Sequence, residues 1–212
     1  MYKFVGLVLL STLAVFCQNR TTINAAFAHF AERMNARQRL VGATRIPIPE
    51  IDLGPKVKYY DALFLGADSL QRTGDCWQEV KDDGIIVEVN YGFHLMAILL
   101  PHLMVNEKNM SGYVRIRENS FHLSYTLHRG GEKCLELNEM LVQKIENVHF
   151  GASRPEYDGA NLEGLFSLVV KPTLNEIVRS NFTKIESTLQ ALCKVNDFQN
   201  KSSVQELVMS LL

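Results

Sequence analysis

Cysteine is scarce in this chain of 212 residues, with four in all, and that excludes a small scaffold held together by disulfides. Neither charge dominates. Lys and Arg number 22 against 23 Asp and Glu, a formal net charge of −1, so bulk electrostatic attraction to nucleic acid is excluded. Proline is sparse at six, tryptophan occurs once, and 47% of residues are hydrophobic. A disordered or low-complexity chain would not have that balance. Beyond the N-terminus no run approaches about 18 uninterrupted apolar residues, so stable membrane insertion is not expected.

Chemical signatures are missing too. There is no HExxH, P-loop or GxGxxG motif, and neither Ser69 nor Ser153 sits in a GxSxG elbow. The six histidines are scattered. His122 and His128 would stand about 20 Å apart along a strand, too far to share a metal. His94 and His102 flank an apolar run and read as structural. No catalytic residue, cofactor or metal site emerges, and an enzyme is not expected.

What is present begins with an address. Lys3 precedes the apolar run 4–16, interrupted only by Ser11 and Thr12. At 1.5 Å per residue that run makes about 20 Å of helix, too short to span a bilayer. Residues 1–17 therefore read as a secretory signal peptide, cleaved after Cys17 or after Ala14, and the mature protein is expected outside the cell. Four sequons agree with export: Asn19, Asn109, Asn181 and Asn200. Cleavage after Cys17 leaves Cys76, Cys134 and Cys193. A Cys76–Cys134 bridge is favoured, because both flank predicted strands whereas Cys193 falls on a helix.

The remaining chain divides into a domain, 18–195, and a tail, 196–212. An amphipathic helix opens the domain, capped by Thr21 or Thr22, with Ile23, Phe27, Phe30, Met34 and Val41 at helical spacing. Arg33, Arg37 and Arg39 read as its solvated face. The proline-interrupted stretch 45–53 is an extended edge or connector, and 56–66 a possible strand. Gly74-Asp75 and Asp82-Asp83-Gly84 bracket a hairpin arm. Period-2 alternation is clear over 85–95 and again over 121–128, with a shorter strand at 112–118 between them. Glu118-Asn119 and 129–132 read as turns of an antiparallel meander, and 135–150 loses phase near Glu139, as a bulge would cause.

Residues 95–105 are apolar on both parities. Such a strand either touches a ligand or second layer on its other face, or is simply buried between sheet and helices. Asn161 can cap a long final helix to Val195, kinked by Pro172. Its stripe runs through Leu174, Ile177, Val178, Ile185, Leu189 and Leu192, and Asn181 falls within it, where packing would hinder glycosylation.

Arg72-Thr-Gly-Asp75, Asp83-Gly84 opening the alternating strand, and Phe121-His-Leu-Ser-Tyr125 carry a resemblance. In their order along the chain they are similar to the bactericidal/permeability-increasing-like superfamily of tubular lipid-binding proteins. Within it the resemblance is to arthropod takeout, juvenile-hormone-binding and group-seven mite allergen proteins. It implies an α+β fold in which a strongly curved antiparallel sheet wraps a long C-terminal helix. It also implies a secreted, non-catalytic carrier or scavenger of a lipid or other hydrophobic ligand. Leu95, Met96, Ile98, Leu99, Leu103, Phe166, Val169 and Val170 would line the groove, with Met96 and Met104 adapting its wall. Core packing is the alternative for each of these. The alternative for the whole chain is an interaction or innate-immune recognition protein with the groove closed.

Overall fold

The computed structural model describes residues 20–48, 50, 56–128 and 133–195, with the side chains of 192–195 excepted. The predicted signal peptide, Asn19, Asn200, the turn at 129–132 and the tail lie outside the described residues.

Three long antiparallel segments form the centre. Strand β7 (Gly84–Phe93) and strand β8 (Met96–Val105) follow one another and pair with the same partner, β9 (Lys108–His128). The register runs on across their junction, from Tyr91↔Phe121 to Met96↔Ile116. Together they make one long, interrupted hairpin. Its tip is a two-residue turn in which Asn106 (φ 48°) and Glu107 (φ 67°) are both left-handed, as a twist-matched tight hairpin requires. Strand β10 (Leu135–Ala152) returns along β9, with register slips between Leu137 and Glu139 and between Val142 and Lys144. The loss of phase expected near Glu139 is therefore a pair of bulges.

Short strands widen this core. β1 (Arg20–Thr22) adds to β6 (Trp77–Val80), which pairs with β7, as does β5 (Leu70–Arg72). β3 (Val57–Tyr60) and β4 (Leu63–Leu65) pair with β8, and β2 (Arg45–Pro47) forms an edge on β4. Asp61, at φ 56°, separates β3 from β4. Thr21 and Thr22 belong to β1 rather than capping the first helix, α1 (Asn24–Leu40), whose N-cap position is Ile23. Phe27 and Ala31 of α1 are buried against Ile85, Val87, Val89, Leu127 and Leu135. Arg33, Arg37 and Arg39 are exposed, as a solvated face requires, and Arg39 also pairs with Asp68 at 2.8 Å.

Glu118-Asn119 is not a turn. β9 passes straight through it, and Asn119, only 6% exposed, takes over where β7 and β8 part. Its Oδ1 accepts the Phe93 N–H at 2.7 Å and its Nδ2 donates to the Phe93 carbonyl at 2.9 Å. On the other side, His94 N–H donates to Ser69 O and Leu95 N–H to Ser69 Oγ. Gly66 (φ +101°) lets that loop approach, since a Cβ there would lie 1.7 Å from Leu95 O.

The expected curved sheet wrapped around one long C-terminal helix is not what forms. The molecule is mostly antiparallel sheet, and the C-terminal region is broken into short pieces. These are α2 (Glu163–Leu165), a π-turn (Phe166–Val170), α3 (Lys171–Ser180) and α4 (Phe182–Val195). Pro172 supplies a physical reason for the first break. It has no N–H for the carbonyl one turn earlier and its ring crowds that position, and the wider π-turn lies just ahead of it. Asn181 (φ −102°, ψ 7°) makes the second break, and its Nδ2 donates to Ile177 O at 2.9 Å. Asn181 is exposed rather than packed within a stripe, so the expected hindrance to its sequon is absent. The pieces lie against the sheet instead of inside it, and Leu165, Leu168, Val169 and Ile177 remain exposed. Among the described residues no helix is long and apolar enough to cross a membrane.

The Cys76–Cys134 bridge is also corrected. Cys76 is a free thiol, fully buried beneath α1, with its sulfur 3.9 Å from the carbonyls of Gly74 and Asn90. Cys134 is disulfide-bonded, but not to Cys76. Sharing one apolar cluster did not suffice to pair them. Burial also pushes the Cys76 thiol above its ordinary pKa, which holds it protonated and unreactive. Alkylation of the native, unreduced protein should leave Cys76 unlabelled, and denaturation without reductant should expose it. Peptide mapping that finds Cys76 in a disulfide would contradict this arrangement.

Candidate ligand-binding region

The apolar strand 95–105 explains itself through a bulge. Two residues, Pro101 and His102, oppose a single residue of β9 between the pairs Leu100↔Gly112 and Leu103↔Met110. Proline fits there because a bulge relieves it of a ladder hydrogen bond. The slip also reverses parity. Met96, Ile98 and Leu100 face the core before it, and Leu103 and Val105 after it. A strand whose inward face changes parity must be apolar at both, which accounts for much of the two-sided pattern.

That inward face meets Met110, Val114 and Ile116 of β9 and Val142, Ile145, Val148 and Phe150 of β10. Phe166, Val170 and Leu174 close over it. Polar side chains fix this cover to the sheet at two places. The Glu163 carboxylate accepts the N–H groups of Asn147 and Val148, each at 3.0 Å, where left-handed Asn147 (φ 57°) turns them outward. Asn161 Oδ1 in turn accepts the Glu163 N–H, although Leu162 rather than the expected Asn161 holds the N-cap position of α2. Farther along, Asn175 Oδ1 accepts the Val142 N–H at 2.6 Å while its Nδ2 donates to the Val142 carbonyl at 3.1 Å. This clamp sits on the second bulge of β10, where a backbone pair would otherwise lack partners. Asn35 of α1 grips Leu70 in the same two-bond way.

Five of the eight groove candidates come together here. Met96, Leu103 and Phe166 are buried, and Ile98 and Val170 pack against them. Leu99 is half-buried and alternates to the opposite face, opposite Leu63. Leu95 and Val169 are exposed. Between the two clamps the chain is therefore apolar on both sides. Phe166, Val170 and Leu174 point in, and Leu165, Leu168 (79% exposed) and Val169 (53%) point out.

A separate cavity of about 310 Å³ opens at the hairpin tip, lined by Tyr60, His102, Leu103, Met104, Asn109 and Met110. Sequence patterning identified Leu103 and Met104 as apolar wall residues, but nothing in it brought Tyr60 to them. The proline within strand 95–105 was the available signal, because it implies a bulge that turns His102 away from its neighbours.

The polar sheet face is occupied by its own contacts. His122 Nδ1 lies 2.9 Å from Asn90 Oδ1, and His128 Nε2 lies 3.2 Å from Glu136. Asn90 Nδ2 donates to the Asp75 carbonyl at 2.7 Å, tying the turn before Cys76 to β7. No group of three or more His, Cys, Asp or Glu among the described residues is arranged to hold a metal ion. The chain matches no protein-family model, and a search of curated proteins finds no relative.

Proposed function

We propose that this chain is a secreted, non-catalytic binder of a lipid-like molecule, held along the segment between the Glu163 and Asn175 clamps. The observation that carries this reading is the two-sided apolar character of that segment. One stripe is needed to cover the sheet. The other, Leu165, Leu168 and Val169, has no structural use within the described residues. Covering it with an acyl or terpenoid chain removes apolar surface from water at about 25 cal/mol per Å². The short sequence likeness to arthropod carriers of hydrophobic ligands points the same way.

A fluorescent fatty-acid probe should bind the purified protein saturably. Placing charges on the outer stripe, as Leu168→Asp with Val169→Asp, should weaken that binding by about tenfold or more, equivalent to about 1.4 kcal/mol. Both side chains are exposed, so thermal stability should hardly change. Absence of saturable binding, together with no lipid retained in native mass spectrometry, would refute the proposal.

The second reading, a protein-interaction module with its groove closed, is favoured by the tight burial of Met96, Leu103 and Phe166. It is the better description if the charged variant loses a protein partner while the wild-type protein takes up no lipid.

A further inference from the structure

The cavity at the hairpin tip has a composition unlike the apolar interior. Four of its residues, Tyr60, His102, Met104 and Asn109, stand on the outer face of the sheet. Tyr60 pairs across to His102, and Met104 to Asn109. Tyr60 is 45% exposed, so much of its side chain is open to water. The backbone of Asn109 is held, its carbonyl accepting a hydrogen bond from Arg154 Nε at 3.0 Å. The Asn109 side chain has no hydrogen bond among the described residues, and it borders the cavity. Asn109-Met110-Ser111 is a sequon.

We propose that Asn109 carries an N-linked glycan and that the tip cavity seats its innermost sugar. This rests on the proposed export of the chain. The fit is chemical as well as spatial. The N-acetylglucosamine ring presents a face of C–H groups that packs on an aromatic ring, and Tyr60 offers one on β3, with β8 between it and the attachment strand. The acetyl methyl group meets the adaptable thioether of Met104. His102 supplies a ring nitrogen for a hydroxyl. The cavity lies at the small end of volumes that hold small molecules, which suits one sugar ring better than an acyl chain. Alternation along β9 turns Met110 inward and leaves Asn109 outward, so the sugar can be attached without disturbing the core.

The test uses the full chain secreted from a glycosylating eukaryotic cell line, with peptide mass spectrometry for occupancy and thermal melts for coupling. Asn109 should be occupied. Trimming the glycan to its first sugar should leave the melting temperature unchanged, whereas Asn109→Gln should lower it by about 2–4 °C. In a Tyr60→Leu background, which keeps apolar bulk but removes the ring, that difference should largely vanish. A Tyr60→Ala background should behave alike, and both changes fall on an exposed side chain that the fold tolerates. An unoccupied Asn109 in a chain glycosylated elsewhere would overturn the proposal. So would an equal loss on Asn109→Gln with and without the Tyr60 ring. If the native leader does not export the chain, the export reading fails. The same melts on protein led by a foreign secretion signal then decide the cavity's role separately.

Discussion

Replacing Asn119 with leucine should lower the melting temperature by about 6–12 °C, the equivalent of about 3 kcal/mol for a chain of this size. The side chain is nearly isosteric, so little volume is lost or gained. What disappears is the pair of hydrogen bonds to the Phe93 backbone, at the junction where β7 and β8 part and the ladder to β9 is interrupted. Each buried backbone group left without a partner costs about 1–3 kcal/mol. Asn119→Asp sharpens the test. An ionised carboxylate there still accepts from Phe93 N–H but faces the Phe93 carbonyl, so the fold favours the protonated acid and raises its pKa. Stability of that variant should be greatest below the ordinary aspartate value of about 3.9 and fall as pH rises through the raised value. Urea titrations at several pH values would read this directly. A variant indifferent to pH, or a leucine variant as stable as wild type, would mean that Asn119 is no clamp.

Phe166→Ala carries the second large effect, about 3–5 kcal/mol, the usual cost of emptying a buried phenylalanine site. Phe166 is 6% exposed and stands at the start of the π-turn, inserted among residues of β8, β9 and β10. A neighbour provides the contrast. Leu168→Ala, two residues on and exposed, should stay within about 0.5 kcal/mol. The loss in Phe166→Ala should also be local before it is global. Hydrogen exchange should rise first in Glu163–Leu165 and Phe166–Val170, while the β7–β9 ladder keeps its protection. Uniform loss of protection across the sheet would show that the helical cover is an integral part of the core.

The reading of the sequence succeeded where a pattern is periodic and local. The alternation of Val87 and Val89 against Glu88 and Asn90 announced β7, and the helical spacing of Ile23, Phe27 and Phe30 announced the side of α1 that meets the core. It failed where a side chain acts at long range. Asn119 looks like a turn residue because asparagine is common in turns, yet here its amide stands in for a missing peptide group of a strand distant in sequence. Asn35 and Asn175 are equally silent, since the choice of Leu70 or Val142 as partner depends on tertiary placement. Pro172 signalled a break, but its form, a π-turn with apolar residues on both sides, could not be read from spacing. The cysteines misled for a similar reason. Lying beside strands brought Cys76 and Cys134 into one cluster, but pairing requires facing Cβ atoms, which composition does not encode. Of the groove candidates, burial of Met96, Leu103 and Phe166 was legible from hydrophobicity, while Tyr60 at the hairpin tip needed the bulge at Pro101.

The order in which this chain is synthesised sets a problem for its first helix. Phe27 and Ala31 are made well before Val87, Leu127 and Leu135, the residues that bury them, whereas the hairpin from Gly84 to His128 needs only its own neighbours. Local contacts form quickly and distant ones slowly, so the hairpin is the natural seed. The first helix must then wait, its apolar side bare, until β10 has joined. Once docked, the helix is held to β5 by the two hydrogen bonds between Asn35 and the Leu70 backbone.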